Sequence, residues 1–315
     1  MRTHYESYKP HAQSKILLHT IIDIVEDYSK QGLKLTLRQL YYQLVSKDLI
    51  KNEERSYKNI GTIVSKARRG GLLDWDAIED RVRRPQSPPE FDDLEELVQA
   101  ALHSFRLPRL KGQERYVELW VEKDALAGVL LPIAHKYHIT LMVNRGYSST
   151  SAMKEAGDRI RQQCDTLGCD RAVVLYLGDL DPSGEDMVRD IRTRLDEYMN
   201  DGLNVIEKGD DIELERAHED SIELSVQKLA LTMEQVKKYD PPPNPAKLSD
   251  SRAAKFVAKH GYSSWEVDAL PPRVLRSVIE SKLDSLIDRD AMQLVLDREA
   301  EDKNKLMAAL KGVRS

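Results

Sequence analysis

The sequence lacks the features that mark secreted and membrane proteins. Its 315 residues include only two cysteines, Cys164 and Cys169. Their spacing, without a second cysteine pair or a histidine cluster, argues against a zinc site. No apolar run approaches the roughly 20 residues that a transmembrane helix needs, and the N-terminal residues lack the apolar core of a signal peptide. We therefore expect a cytoplasmic protein with no membrane partner.

The chain also lacks an excess of positive charge. Its net charge is −5, so the overall balance does not indicate nucleic-acid binding. Residues 56–69, however, contain basic side chains and no acidic one. A local basic face of this kind is compatible with binding of a phosphate backbone, and is equally typical of a solvated helix. The candidate DNA contacts in this segment are Lys58, Lys66, Arg68 and Arg69.

Three short helices are predicted within residues 1–88. Apolar residues recur at helical spacing over residues 14–28, and Thr36 is placed to cap a second helix over residues 37–45. A third helix over residues 56–67 is followed by a glycine pair that would end it. Residues 72–78 would then supply a short strand or wing. Three helices with a basic third one are typical of helix-turn-helix or winged-helix modules that bind DNA.

The middle of the chain alternates strands and helices. A proline-rich linker over residues 84–89 leads to a linker helix within residues 89–111. Over residues 112–212 we predict strands at 116–121, 139–143 and 172–177, each followed by a helix. This order predicts an α/β fold with a Rossmann-like parallel sheet and right-handed crossovers. After a short strand at 203–206, residues 213–315 are expected to form a mainly helical C-terminal region, with Pro272 opening one helix.

The most informative motif is Gly-Asp-Leu-Asp-Pro-Ser-Gly at residues 178–184. It carries Asp179 and Asp181 to the tip of a predicted strand, where open α/β sheets bind ligands. Glu122 ends the first strand of the same sheet, and parallel strands end at one edge. The sequence therefore predicts that Glu122, Asp179 and Asp181 bind Mg²⁺ or Mn²⁺. The alternative is that the aspartates only cap the next helix. Lys123 would offset charge or contact a DNA phosphate, unless it is an ordinary surface lysine.

An acidic residue after the first strand and Asp-x-Asp after a later one resemble the Toprim domain of topoisomerases, bacterial primases and some nucleases. Three segments resemble, more specifically, the A subunit of topoisomerase VI and its meiotic double-strand-break relatives. They are residues 121–123 (Val-Glu-Lys), 144–149 (Asn-Arg-Gly-Tyr-Ser-Ser) and 178–184. Residues 37–42, Leu-Arg-Gln-Leu-Tyr-Tyr, are similar to the Arg-x-x-Tyr-Tyr pattern of that family's winged-helix domain. The resemblance covers about residues 30–200 in the family's domain order.

The resemblance implies a winged-helix module followed by a Toprim-like sheet, and a type IIB topoisomerase-like cleavage of double-stranded DNA. In that reaction Tyr42 would attack a DNA phosphate and form a 5′-phosphotyrosyl link, with metal held by Glu122, Asp179 and Asp181. It also implies a homodimer in which the tyrosine of one protomer works with the metal of the other. The chain has no ATPase region, so strand passage would require a separate ATPase subunit.

The residue types suit this chemistry. Arg38 lies four residues before Tyr42, so both side chains share one side of a helix, and the guanidinium can stabilise charge that develops on the phosphate. The alternative for Tyr42 is a packing role. Two other functions stay open: a hydrolytic Toprim nuclease without a covalent intermediate, and a DNA-binding protein without catalysis. In the C-terminal region, Glu266 would either add a carboxylate to the metal edge or, as we prefer, lie on the surface, and Asp268 is expected to cap a helix.

Overall fold

The computed structural model describes residues 2–30, 34–78, 88, 90–144, 146–208, 211–216 and 218–313. The helices are α1 (Ala12–Lys30), α2 (Leu37–Val45), α3 (Glu54–Arg69), α4 (Leu94–Ser104), α5 (Ala127–Tyr137), α6 (Thr150–Leu167), α7 (Pro182–Asn200), α8 (Met233–Tyr239), α9 (Ala253–His260), α10 (Pro272–Leu286) and α11 (Arg289–Val313). The strands are β1 (Tyr116–Val121), β2 (Thr140–Val143), β3 (Arg171–Leu177), β4 (Leu203–Lys208), β5 (Asp211–Arg216), β6 (Glu223–Ala230), β7 (Asn244–Pro245) and β8 (Ser263–Ser264).

The first three helices form a unit with its own apolar core, as the sequence predicts. At the start of α2, the Thr36 side chain accepts a hydrogen bond from the Gln39 backbone N–H, and the Gln39 side chain accepts one from the Thr36 N–H. This reciprocal capping satisfies two amide groups that the first turn of a helix leaves without partners. The cap therefore fixes where α2 begins, and with it the side of the helix on which Arg38 and Tyr42 lie.

The strand expected over residues 72–78 does not form. Trp75–Ala77 is instead a short 3-10 turn, which Asp74 begins by accepting a hydrogen bond from the Asp76 backbone N–H. Ile78 makes a single β-bridge to Leu35. The aspartate offers the backbone a local hydrogen bond that competes with a strand ladder, and this explains the difference. Residues 84–87 and 89 of the predicted linker lie outside the described residues.

The main sheet is parallel, with strand order β2-β1-β3-β6. From β1 the chain crosses to β2 on one side and then returns to β3 on the other, so the strand order reverses beside β1. Ligands of open α/β sheets bind outside the carboxyl ends of the strands at such a reversal. Val121 pairs with Leu177 at the ends of β1 and β3, which brings residues 122 and 178 out of the sheet side by side.

The sheet continues beyond the boundary predicted at residue 212. Strand β6 pairs in parallel with β3 over most of its length and was not predicted. Only Val226 and Ala230 of its side chains are buried, so its sequence carries too few apolar residues to be identified as an inner strand. The strand predicted at residues 203–206 is confirmed as part of β4, which forms an antiparallel hairpin with β5.

The C-terminal region packs back onto the sheet. The backbone N–H groups of Leu180 and Trp265 each donate to the other residue's carbonyl, at 2.8 and 3.0 Å. This bridge fixes residues 265–268 against the turn that follows β3. Helix α10 begins at Pro272 as predicted and contacts α5. Within the described ranges, no helix combines the length and apolar character needed to span a membrane.

Helix α11 is anchored by a buried carboxylate, Glu299. It accepts hydrogen bonds from the Leu107 N–H at 3.0 Å and from Arg109 Nη2 at 3.0 Å, and Lys303 Nζ lies 2.9 Å away. Burial alone would raise the pKa of Glu299, but Arg109, Lys303 and the Leu107 amide lower it to about 2. A carboxylate with a lowered pKa stabilises the fold above its ordinary pKa, and this stabilisation is lost as the pH falls.

We therefore expect Glu299→Gln to lower the free energy of unfolding by about 1 to 3 kcal/mol at neutral pH. The deficit should shrink as the pH falls from 4.5 towards 2, because over that interval Glu299 binds a proton in the unfolded wild-type chain while the folded carboxylate stays largely ionised. Urea unfolding of both proteins across this pH range measures the effect. A deficit that does not change with pH would contradict the assignment of charge to Glu299.

Candidate functional site

A network of charged side chains lies at the carboxyl edge of the sheet. Its centre is Lys123, two residues after the end of β1. Lys123 Nζ lies 2.9 Å from Asp179 Oδ2, 2.8 Å from Glu266 Oε2 and 3.2 Å from Asp268 Oδ1. Three carboxylates from two distant parts of the chain thus meet one ammonium group. We call these four residues, together with Arg38 and Tyr42, the edge cluster.

Arg38 and Tyr42 join the edge cluster from α2. Arg38 Nε donates to Asp268 Oδ2 at 2.9 Å, and its guanidinium also pairs with Glu266. Tyr42 Oη donates to Glu266 Oε2 at 2.6 Å and accepts from Arg38 Nη2 at 3.4 Å. The expected sharing of one helix side by Arg38 and Tyr42 is confirmed. These contacts hold the N-terminal helical unit against the sheet edge of the same chain.

Two of the three predicted metal ligands lie together. Glu122 Oε2 accepts hydrogen bonds from the Asp179 backbone N–H at 3.0 Å and from Tyr176 Oη at 3.4 Å. The expectation that Glu122 and Asp179 meet at one edge, although 57 residues separate them, is therefore confirmed. Their proximity follows from the parallel pairing of β1 with β3.

The Asp181 carboxylate interacts with the first turn of α7. Its Oδ1 accepts from the Gly184 backbone N–H at 2.6 Å and from Ser183 Oγ at 3.0 Å. Asp181 is the N-cap of α7, which was the alternative considered for the aspartates. Both of these hydrogen bonds use the same carboxylate oxygen. Asp181 therefore caps α7 through Oδ1, and its role as a metal ligand stays a prediction.

The donor set agrees with Mg²⁺ or Mn²⁺ in its chemistry, because carboxylate oxygens are the ligands these ions prefer. Among the described residues, no three acidic, histidine or cysteine side chains are arranged to hold a metal ion. Asp179 Oδ1 accepts from the Val267 N–H at 2.8 Å, and Oδ2 faces Lys123. Glu122 and Asp179 are the residues that would hold an ion, and Lys123 supplies the positive charge at this edge.

Burial governs the electrostatics of the edge cluster. It raises the pKa of Asp179 to about 7; Glu122 adds to the rise, and Lys123 opposes it. Burial would also raise the pKa of Glu266, but Lys123, Tyr42 and Arg38 lower it to about 2. The pKa of Tyr42 is raised well above its ordinary value by burial and then by Glu266, while Arg38 opposes the rise. The short Tyr42–Glu266 contact is therefore a neutral phenol donating to a carboxylate.

Two residues that shape the turn at residues 178–184 were not identified as site residues from the sequence. Lys228 on β6 donates to the carbonyls of Asp179 at 2.8 Å and Gly184 at 3.4 Å, so its ammonium holds both ends of the turn. Lys228 was missed because β6 was not predicted. Gly184 has a steric role, since a Cβ atom there would overlap the Asp179 carbonyl oxygen. The glycine in the motif was the signal for this close approach.

Glu266 and Asp268 correct two expectations. Asp268 does not cap a helix: it is 1% exposed, and its carboxylate pairs with Arg38 and Lys123. Glu266 is not an ordinary surface residue, because its carboxylate contacts three donors of the edge cluster. Their approach depends on the backbone bridge between Leu180 and Trp265. The local sequence gives no signal of that long-range contact beyond an acidic pair separated by one valine.

The predicted DNA contacts on α3 divide into two groups. Lys58 pairs with Glu54 at 2.6 Å, and Arg69 pairs with Glu6 at 2.9 Å; both, like Lys66, are exposed. Arg68 has a structural role instead. It donates to the backbone carbonyls of Trp75 and Ile78 and covers the Trp75 ring at 5.3 Å. Lys123, the fifth predicted contact, lies within the edge cluster.

A groove of about 510 Å³ opens beside the edge cluster. It lies between α2 and α3 on one side and Asp124 and Ala125 on the other. The arginines that line it are Arg38, Arg68 and Arg69. The groove thus connects the basic end of α3 with the guanidinium that contacts Tyr42.

Comparison with known protein families finds no match, and comparison with curated proteins finds none either.

Proposed function

We propose that this chain is a Mg²⁺-dependent DNA-cleaving protein that resembles a reduced topoisomerase VI A subunit. In this proposal the N-terminal helices are its winged-helix module and the parallel sheet is a Toprim domain. Tyr42 is the nucleophile, and cleavage leaves the protein joined to DNA through a 5′-phosphotyrosyl link. The reaction is a type IIB-like transesterification that uses Mg²⁺ or, in its place, Mn²⁺.

One observation carries the proposal. The Tyr42 hydroxyl belongs to a helix of the first unit, yet it is linked through Glu266 and Lys123 to Asp179 at the edge of the sheet. Packing alone gives no reason for the tyrosine, the arginine and the carboxylates of the resemblance to meet at one place. A nucleophile and the predicted metal-binding residues do need to meet in a transesterification of DNA.

Each residue has a distinct role in this reaction. Arg38 and Lys123 bind the oxygens of the phosphate under attack, and Arg69, Lys66 and Lys58 contact the backbone of duplex DNA along α3. Glu122 and Asp179 hold the metal ion, which would offset phosphate charge when bound. Asp181 sets the beginning of α7, and Arg68 keeps the Trp75 turn in place.

The proposal is tested by covalent capture. The purified protein is incubated with end-labelled duplex DNA and Mg²⁺ or Mn²⁺, denatured, and separated by electrophoresis. We expect a band of protein-linked DNA that depends on the metal and disappears after protease digestion, with a free 3′-hydroxyl on the other fragment. DNA that stays uncut and unlinked under all these conditions would contradict the proposed function.

A hydrolytic Toprim nuclease is the second candidate, and one observation favours it. Tyr42 is only 5% exposed, as expected for a tyrosine that packs rather than attacks. In that reaction a metal-bound water cleaves DNA and no covalent link forms. Cleavage without protein-linked DNA in the capture experiment would select this candidate. DNA binding without any cleavage would select the third possibility, a non-catalytic DNA-binding protein.

The contacts of the edge cluster lie within one chain. The resemblance implies a homodimer in which the tyrosine works with the partner's metal, and the homodimer stays a prediction. A separate ATPase subunit stays a prediction in the same way, and it would be required only for strand passage.

A further inference from the structure

Glu266 comes from a segment that no motif connects to the site, yet three donors converge on one of its oxygens. Glu266 Oε2 accepts from Tyr42 Oη at 2.6 Å and from Lys123 Nζ at 2.8 Å, and it also pairs with Arg38. In the described part of the chain, no other carboxylate accepts a hydrogen bond from the Tyr42 hydroxyl.

The position of Glu266 is fixed by its two neighbours in sequence. The backbone of Trp265 forms the bridge to Leu180, and the Val267 N–H donates to Asp179 Oδ1 at 2.8 Å. Both contacts attach the segment to the turn that carries Asp179. The Glu266 carboxylate is therefore held in a constant relation to the candidate metal-binding edge, as a group that takes part in proton transfer must be.

We propose that Glu266 accepts the proton of Tyr42 in the same chain when the tyrosine attacks a DNA phosphate. This role rests on the proposed function. The O–H bond of Tyr42 breaks and its proton moves to Glu266 Oε2, while the phenolic oxygen forms a bond to phosphorus. The bond between phosphorus and the 3′-oxygen breaks, and the 3′-oxygen takes a proton from solvent water. In the reverse reaction the 3′-hydroxyl gives its proton to solvent as its oxygen bonds to phosphorus, the bond between phosphorus and the Tyr42 oxygen breaks, and Glu266 returns its proton to that oxygen.

The charges around Glu266 couple proton transfer to the presence of DNA. Tyr42 and Arg38 face Glu266 from α2, Lys123 faces it from the end of β1, and Asp268 lies on its own segment. Arg38 and Lys123 keep the carboxylate ionised. A DNA phosphate that binds these two cations weakens their electrostatic stabilisation of the ionised Glu266 carboxylate. Glu266 therefore becomes a stronger base when substrate is bound.

Glu266→Gln tests the proton transfer, because glutamine keeps the size of the side chain and can still accept a hydrogen bond but is a far weaker base. We expect the rate of covalent capture to fall roughly 100- to 10,000-fold. Affinity for uncut DNA should be equal to that of the wild type or tighter, because a negative charge is removed. The melting temperature should fall, because Glu266 is a paired carboxylate with a lowered pKa, so capture is compared at a temperature at which both proteins are folded. Glu280→Gln is the matched control, since Glu280 on α10 has a 28% exposed side chain that pairs with Lys136 and lies outside the edge cluster. Capture at the wild-type rate by Glu266→Gln would overturn the proposal.

A second measurement does not depend on cleavage. In the protein labelled with an NMR-active isotope in its tyrosine rings, the Tyr42 signal is assigned by its loss in Tyr42→Phe. Since Tyr42 Oη donates a hydrogen bond to the Glu266 carboxylate, the Tyr42 ring signal at neutral pH should shift in Glu266→Gln relative to the wild type. An unchanged signal overturns the pairing, whether or not DNA is cut. A shifted signal in a protein that never captures DNA would refute the proposed function and the proton transfer, but leave the Tyr42–Glu266 pair intact.

Mixing of variants tests whether the two residues act within one chain. An equal mixture of Tyr42→Phe and Glu266→Gln should capture DNA no faster than Glu266→Gln alone, because neither chain contains both residues. Recovery of capture well above that level would mean that Glu266 serves the tyrosine of a partner chain, and would overturn the same-chain assignment.

Discussion

Tyr42→Phe is expected to abolish protein-linked DNA, with a loss on the order of 1,000-fold or more, because phenylalanine has no nucleophile to join to the phosphate. The ring itself remains, so its packing beside Tyr41 and Val45 is kept. The variant loses the hydrogen bond to Glu266, which should lower the free energy of unfolding by about 1 to 3 kcal/mol. Covalent capture on labelled duplex DNA measures the first effect, and urea unfolding measures the second.

The chain offers a close control in the neighbouring tyrosine. Tyr41 Oη donates to Asn52 Oδ1 at 2.8 Å and does not contact the edge cluster by hydrogen bonding. Tyr41→Phe should therefore capture DNA at nearly the wild-type rate. If Tyr42→Phe still forms protein-linked DNA, or if Tyr41→Phe is the variant that fails, the assignment of the nucleophile is wrong. Cleavage that continues without a covalent link in Tyr42→Phe would favour the hydrolytic nuclease.

Asp179→Asn is expected to have the second large effect. The substitution keeps the size of the side chain and its contact with the Val267 amide, but removes the negative charge beside Glu122. Metal stabilisation of a phosphoryl transition state is worth several kcal/mol, and each ~1.4 kcal/mol is tenfold in rate. We therefore expect metal-dependent cleavage to fall roughly 100-fold or more, with weaker Mg²⁺ binding by calorimetry.

Affinity for uncut DNA separates this effect from a general loss of function. Asp179→Asn removes a negative charge near the DNA, so binding without metal should be equal to the wild type or tighter. Asp190→Asn on α7 is the control, because Asp190 pairs with Arg194 at 3.5 Å and lies outside the edge cluster. Wild-type rates of cleavage by Asp179→Asn would exclude Asp179 as a metal ligand in the reaction.

Much of the site was predictable because it depends on local patterns and on one rule of topology. The bounds of β1 were predicted to the residue. The rule that parallel strands end at one edge then brought Glu122 beside Asp179. The spacing of four residues between Arg38 and Tyr42 likewise predicted that both side chains lie on one side of a helix. These features need only the sequence near each residue and the order of the strands.

The remainder of the site depends on contacts between distant segments. The bridge between Leu180 and Trp265 brings Glu266 and Asp268 to the edge of the sheet. Hydrophobic periodicity does not predict such a contact. Lys228 was missed because β6 was not predicted: β6 lies at the edge of the sheet, and most of its side chains are only half-buried. Asp181 caps α7 through Oδ1, as the alternative reading of the motif allowed, and its place at the metal stays a prediction.

The most direct test of the central claim is to identify the residue that carries DNA after cleavage. Wild-type protein is trapped on duplex DNA with Mg²⁺, digested with nuclease and trypsin, and analysed by fragment mass spectrometry. We expect a 5′-nucleotide on Tyr42 in the tryptic peptide of residues 39–47. A nucleotide on Tyr41 or on any other residue, or cut DNA with no modified peptide, would contradict it.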